Sequence, residues 1–596
     1  MAQKKSKQKL KISQRSEPAA PAPAVNTNAL LIALAIFFSS VVIYIPAMTA
    51  AYIWDDDQEI TANRLIQAPD GLFKIWFQNT TADYFPLKST LQWIEWQLWG
   101  INSSGYHIVN ILIHGFDAVL IWLVLQKLRV PGAALAALLF GIHPVNVESV
   151  AWISELKNTF SLVFFLLALL AYLNFEQQQK KRCYIESIIL FVASLLCKTS
   201  VVPFPFVLLI CAFWQRGKIT KQDVLRTIPF FLAAVALGYV TLKFQNERAI
   251  GTEVIPIGGF WSRLAGAGML PWFYLFNALL PFWLIVIYPK WHIDPPQAWQ
   301  FLPGIALVIA MFILWRYRHS WAKATFCAMA YYIITLGPVL GFFKMSYMRL
   351  TLPADHFEYL SVISIIALLA GGGTWLADRR RNLRPLLTGF AVVVVAVFAG
   401  VSLAHASIFK DEETLWRTTL EKNPDTWQGH NHLGAALFMK GDMASKAAAF
   451  KHFARAVELK PENPEVHNNL GLGYATFAQR PDHTLDPEMM KRAIEEYRRA
   501  IQIKDDPSMR TNLANALGSI GKFDEAVEQY RASIAMDPNN PNTHCNLGYT
   551  LIQIGDLDGA AAEFEAALKI APNMVQAQQN LEAVLQRKQQ MMQPRK

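Results

Sequence analysis

The chain has 596 residues, of which 53% are hydrophobic and only 17% charged, with a formal net charge of +10. That apolar excess excludes a single soluble domain, and the charge is unevenly spread: 29–50 carries none, whereas nearly every ten-residue block from 421 to 570 carries some. The five cysteines (183, 197, 211, 327 and 545) form no CxxC pair and have no zinc-like histidine spacing, which argues against a disulfide framework or a structural metal and leaves the redox compartment open.

In chain order, 1–28 reads as a basic cytoplasmic tail (Lys4, Lys5, Lys7, Lys9, Lys11, Arg15), and the apolar run after it as a signal anchor rather than a cleaved leader. Candidate spans are 29–50, 106–126, 132–152, 157–175, 184–197, 201–214, 226–244, 300–315, 323–342, 357–377 and 385–406. The gaps holding Lys127/Arg129, Lys180/Lys181/Arg182, Arg216/Lys218/Lys221, Arg316/Arg318 and 379–384 are basic, and they alternate with gaps that are not. Basic charge between spans is a topology signal and not a nucleic-acid surface, so no nucleic-acid partner is expected. The alternation predicts eleven crossings with the N-terminus cytoplasmic, provided that 263–288, which is interrupted by Pro271 and Pro281, does not cross as a single span. That stretch reads as re-entrant or interfacial, or as a hairpin of two short helices. The outer loop 51–105 and the tail 407–596 then lie on the extracytoplasmic side.

The outer loop opens on Tyr52-Ile53-Trp54-Asp55-Asp56-Asp57-Gln58-Glu59. Four carboxylates within five residues at a membrane edge are costly unless they bind or activate something. On the second span, His107, Asn110, His114 and Asp117 fall at spacings of three, four and three, a stripe that must face the bundle rather than lipid. Interhelical hydrogen bonding accounts for such a stripe without a ligand. Other ionisable groups gather on the side of the acidic loop: His143, Glu148, Glu155 and Lys157 near the third span, Lys198 in the next outer hairpin, then Arg263, Lys290, His292 and Asp294, and finally Lys344, Arg349, Asp355 and His356. Each alone suits an interfacial anchor. Together they place cations suited to a lipid phosphate near carboxylates suited to a hydroxyl nucleophile.

The tail declares a period. Asn-Leu-Ala at 512–514 and Asn-Leu-Gly at 546–548 are 34 residues apart, and His432-Leu433-Gly434 and Asn469-Leu470-Gly471 begin two longer copies. Each copy continues with Ala-x3-aromatic-x2-small (Ala449/Phe453/Ala456, Ala493/Tyr497/Ala500, Ala526/Tyr530/Ser533, Ala560/Phe564/Ala567) and closes near a proline. This pattern predicts about four tetratricopeptide repeats over 424–572 and a capping helix after them. The first helix of each copy would line the groove with Asn431, Asn468, Asn469, Asn512, Asn515 and Asn546, an amide set suited to holding an extended acceptor.

Four runs then resemble one family: Trp54-Asp55-Asp56 with Ile60 and Asn63; Gly105-Tyr106-His107-Ile108-Val109-Asn110 with His114; 143–153, which begins His143-Pro144-Val145; and Ala354-Asp355-His356-Phe357-Glu358-Tyr359-Leu360. In order, spacing and attachment to a repeat tail, they look like bacterial relatives of the transmembrane and tetratricopeptide-repeat O-mannosyltransferases, membrane glycosyltransferases of the GT-C superfamily. The resemblance implies an all-α chain: a polytopic GT-C-like membrane domain over 29–406, then an extracytoplasmic α-solenoid over 407–596. It also implies a sugar donor carried on a polyprenyl phosphate, a protein or glycan acceptor, and a general base that by position is Asp55 or Asp56. Asp55 and Asp57 together also read Asp-x-Asp, which is compatible with a divalent cation, so metal stays open. The substrate contacts expected on this side are His143, Glu148, Lys198, Arg263, Lys290, Arg349, Asp355 and His356. The expected location is a bacterial inner membrane with the repeats in the periplasm or outside; an endoplasmic reticulum membrane is the alternative. The alternative function is a non-enzymatic membrane scaffold whose repeats recruit partners for envelope or polysaccharide assembly, and a flippase is a weaker second.

Overall fold

The computed structural model describes residues 27–78, 83–251, 255–480, 482 and 484–592. The basic residues of the N-terminal tail lie outside them. The described residues are all-helical apart from one isolated bridge between Gln479 and Leu485. Among the described residues, seven helices are long and apolar enough to cross a membrane, and the pair Ala133–Gly141 with Pro144–Ala151, bent by 46°, makes up to eight. The chain is an integral membrane protein by this composition. The first apolar run ends sooner than its composition suggests: its helix covers Thr27–Ile43, and a short turn at Ile45–Ala47 leads into the acidic loop.

The stripe on Ser103–Lys127 is buried on all four residues, and Asn110, His114 and Asp117 make the bonds that hold a bundle together. Asn110 donates to the carbonyls of Ser149 and Val150 (3.2 and 2.9 Å), ending the broken pair, and His114 meets Tyr359 Oη at 2.7 Å and the Gly141 carbonyl at 3.1 Å. Such bonds replace water for backbone groups freed where a helix breaks inside a bundle.

Residues 263–288 resolve into one helix, Phe260–Leu279, followed by extended chain, so the two-helix hairpin does not form. Twenty residues make a rod of about 30 Å. Yet both its ends touch one loop: Arg263 donates to the Phe342 carbonyl (3.4 Å), and Asn277 reaches Asp355 (3.5 Å), with Ala354 N–H on Tyr274 Oη (3.2 Å) between them. The helix therefore packs along that loop over most of its length.

The tail begins with Glu412–Lys422, capped by Asp411, and continues as paired helices from Trp427–Met439 to Leu557–Ile570, ending in Val575–Met592. Asn463, Asp486, Asp506 and Asn540 cap their helices with a proline at the first helical position, a combination that fixes each start. The glycine of the repeating triplet is required by packing. A Cβ on Gly434, Gly471 or Gly548 would sit 2.6, 2.8 or 2.9 Å from the ring of Phe453, Tyr497 or Phe564.

The acidic loop and the tail meet at the same end of the bundle: Ala51 N–H donates to the Lys410 carbonyl (2.9 Å), Lys422 Nζ to the Leu284 carbonyl (3.0 Å), and Asn423 Nδ2 to the Ile287 carbonyl (2.9 Å). With Cys183 replaced by serine, cysteines placed at exposed Asp70 and Asn539 should both react with an impermeant thiol reagent in intact cells, while one at exposed Arg381 should be protected. Reaction at Arg381 with protection at the other two would reverse the orientation derived from the basic gaps.

Candidate active site

The two aspartates that the sequence leaves equivalent are separated by the fold. Asp56 is fully buried. One of its carboxylate oxygens accepts from Ser154 N–H (2.8 Å) and Ser154 Oγ–H (2.6 Å), and the other accepts from Ile53 N–H (3.1 Å). Burial pushes its pKa well above the usual carboxylate range, against those hydrogen bonds. These bonds stitch the outer loop to the start of the span Ile153–Gln178. Asp55 is half-buried, and its inner oxygen, Oδ1, has no hydrogen-bond partner. Burial raises its pKa to about 6, with the nearby Lys157 ammonium pulling the other way. A carboxylate with a free lone pair and a pKa near neutrality is the form a general base takes.

Lys157 belongs to a compact ionic group. Its Nζ lies 2.9 Å from one oxygen of Glu155, and Lys198 Nζ lies 3.4 Å from the other. Asn158 bridges them, donating to Glu155 (2.5 Å) and accepting from Lys198 (2.5 Å). Lys198 and Asn158 also line a small cavity of about 30 Å³ with His356, Met345 and Tyr359. His356 in turn meets Glu148 through both its ring (3.0 Å) and its backbone N–H (3.2 Å). Glu148, His356 and Lys198 thus join one network with Asp55 at its edge.

The other expected contacts are engaged as follows. His143 spends its ring on the Ala278 carbonyl (3.1 Å) and on Val145 N–H (3.3 Å), holding the break between two short helices. Asp355 accepts from Tyr288 Oη (2.7 Å). Arg263 and Arg349 donate to backbone carbonyls of their own loops, at Gly258 (3.1 Å) and Ser346 (3.0 Å). Lys290 is exposed and faces Lys460 and Glu462 of the tail. Asp57 accepts from Thr61 Oγ–H (2.6 Å), and among the described residues no three His, Cys, Asp or Glu side chains are grouped to hold a metal.

In the groove, the asparagines pair with each other across repeats: Asn469 donates to Asn431 (2.8 Å), Asn512 to Asn468 (2.9 Å) and Asn546 to Asn515 (3.0 Å). One amide group of each therefore ties adjacent repeats together, which single-position reasoning could not foresee. Asn515 and Asn546 still line an open cavity of about 370 Å³ with Tyr530, Tyr549, Thr550 and Gln553.

Three matches to models described as TPR or tetratricopeptide repeats fall at 413–464, 514–555 and 541–574. Among curated proteins, the chain is 21% identical over 558 residues to the protein O-mannosyl-transferase TMTC3 of Mus musculus, covering 83% of this chain and 59% of that one. It is 25% identical over 503 residues to TMTC4 of the same organism, covering 70% and 65%. Among solved structures, YrrB, a TPR protein with an unusual peptide-binding site, aligns at 17% identity and a TM-score of 0.25, covering 30% of this chain and 85% of that one. The chain spans about three-fifths of the length of the curated relatives it matches. Through its membrane helices and its tetratricopeptide repeats together, this chain is related to the TMTC proteins.

Proposed function

We propose that the chain is a membrane glycosyltransferase that moves a sugar from a polyprenyl phosphate to a hydroxyl of a protein or glycan acceptor on the extracytoplasmic side. The observation that carries this reading is the meeting of Asp55, with its unpartnered buried oxygen, and the Lys157–Glu155–Lys198 group at one end of the bundle. Asp55 takes the proton of the acceptor hydroxyl as its oxygen bonds to the anomeric carbon. The bond from that carbon to the phosphate oxygen breaks, and the lipid phosphate leaves with the electron pair. Lys157 and Lys198 are placed to balance that charge where lipid and water meet. The names of the TMTC relatives support transfer to protein. A scaffold has no use for a half-buried carboxylate that keeps one oxygen without a hydrogen bond.

The test is donor binding by the full chain in nanodiscs, with radiolabelled undecaprenyl-phosphate mannose as the probe. Replacing both Lys157 and Lys198 by methionine should weaken binding by about 10–100-fold, the size expected for losing charge-assisted contacts to a phosphate. Undiminished donor binding in that double variant would remove the two lysines as the phosphate site.

A further inference from the structure

The residue before Asp55 is held in an unusual way. Trp54 has φ of 51°, the left-handed region that a bulky side chain avoids unless its surroundings impose it. What imposes it comes from the tail. The Trp54 backbone N–H donates to Oε1 of Glu412, and the other oxygen of that carboxylate accepts from the indole N–H of Trp416. The Trp54 ring lies flat on Trp152 (centroids 4.9 Å apart, 9° between planes) and meets the Trp416 ring at 5.1 Å and 67°. Trp416 is itself stacked on His432 of the first repeat, at 4.8 Å and 12°. Trp416 is fully buried, and the hydrophobic core of the membrane half continues through Phe409, Leu415 and Trp416 into Leu433 and Phe453 of that repeat, while most of the later repeats form a core of their own.

The first repeat is therefore built into the membrane domain, and its contact point is the residue adjoining the candidate base. We propose that Glu412, Trp416 and His432 are positioning residues: they hold the left-handed turn at Trp54 and so aim the Asp55 carboxylate. The reading rests on the transferase reaction proposed above. It makes the repeat domain part of the reaction centre as well as a platform for the acceptor. His432 is the neighbour of Asn431, which bonds to the second repeat, so the groove and the base lie at two ends of one short chain of contacts.

A positioning role separates from an acceptor-binding role in steady-state kinetics, because misaiming a base lowers turnover while leaving ground-state binding alone. In full-length protein reconstituted with undecaprenyl-phosphate mannose, Glu412→Ala and His432→Ala should each lower kcat by about 10–100-fold with acceptor KM within about twofold. His432→Phe, which keeps a flat ring on Trp416, should restore turnover, and Glu412→Gln, which keeps one acceptor for the Trp54 N–H, should lie between. Amide hydrogen exchange over 51–58 should quicken in Glu412→Ala. A rise in acceptor KM with kcat unchanged would overturn the proposal, and so would exchange over 51–58 that does not change. If the wild-type chain transfers no sugar, the transferase reading fails on its own, and the exchange experiment still decides whether the tail holds the turn.

Discussion

Replacing Asp55 by asparagine is expected to lower sugar transfer by about 10²–10⁴-fold with little loss of stability, the usual cost of removing a general base. Asparagine keeps the volume and removes the basic lone pair together with the charge that faces Lys157. Asp56→Asn should behave differently. Its carboxylate accepts three hydrogen bonds from Ser154 and Ile53 in a fully buried place, and an amide offers one accepting oxygen where two are needed. Leaving a buried donor unmatched costs about 1–3 kcal/mol, so the melting temperature and transfer should fall together in that variant. Thermal unfolding and single-turnover transfer on both variants separate the two roles. Full activity in Asp55→Asn would remove the mechanism proposed for this site.

The same assignment fixes a pH dependence and its sign. Asp55 acts only when deprotonated, and burial raises its pKa to about 6. Transfer should therefore be low in acid, rise as pH passes through about 6, and fall again as pH passes about 8, where burial brings the Lys198 ammonium to lose its proton. A profile flat between about pH 5 and 8 would show that no group of that pKa controls the step.

Much of this architecture is legible in the sequence because it is periodic or compositional. Helical spacing finds the inward stripe at His107, Asn110, His114 and Asp117, and the recurring triplet with its aromatic partner finds the repeats. Both signals are local. What the sequence does not separate depends on long-range contacts. Asp55 and Asp56 are chemically identical neighbours, and what separates them is burial of Asp56 against Ser154, 98 residues on. Glu412, Trp416 and His432 carry no motif, and their relation to Trp54 spans more than 350 residues of chain. The segment 263–288 is ambiguous because apolar composition is the same for a helix lying on a membrane and one crossing it. The asparagines of the groove read as free amides because inter-repeat pairing needs coordinates to be seen.

The tail gives the second large effect, and two truncations divide it. Removing 505–596 deletes Asn512, Asn515, Asn546 and the 370 Å³ cavity and keeps His432 on Trp416. Repeat arrays are stabilised by nearest neighbours, so the remaining repeats should stay folded. This shorter chain should lose acceptor affinity by about tenfold or more, as expected for losing one or two charge-free hydrogen-bonding groups with their apolar surroundings, while kcat at saturating acceptor stays close to that of the full chain. Removing 424–596 also takes His432 and uncovers Trp416, so turnover should fall as well as affinity. Donor binding should survive both truncations, because Lys157, Lys198 and Glu155 all lie in the membrane half. If the longer truncation transfers sugar at an undiminished rate, the repeats neither present the acceptor nor hold the Trp54 turn; if both truncations lose turnover equally, the later repeats, and not the stacked rings of the first, sustain the reaction centre.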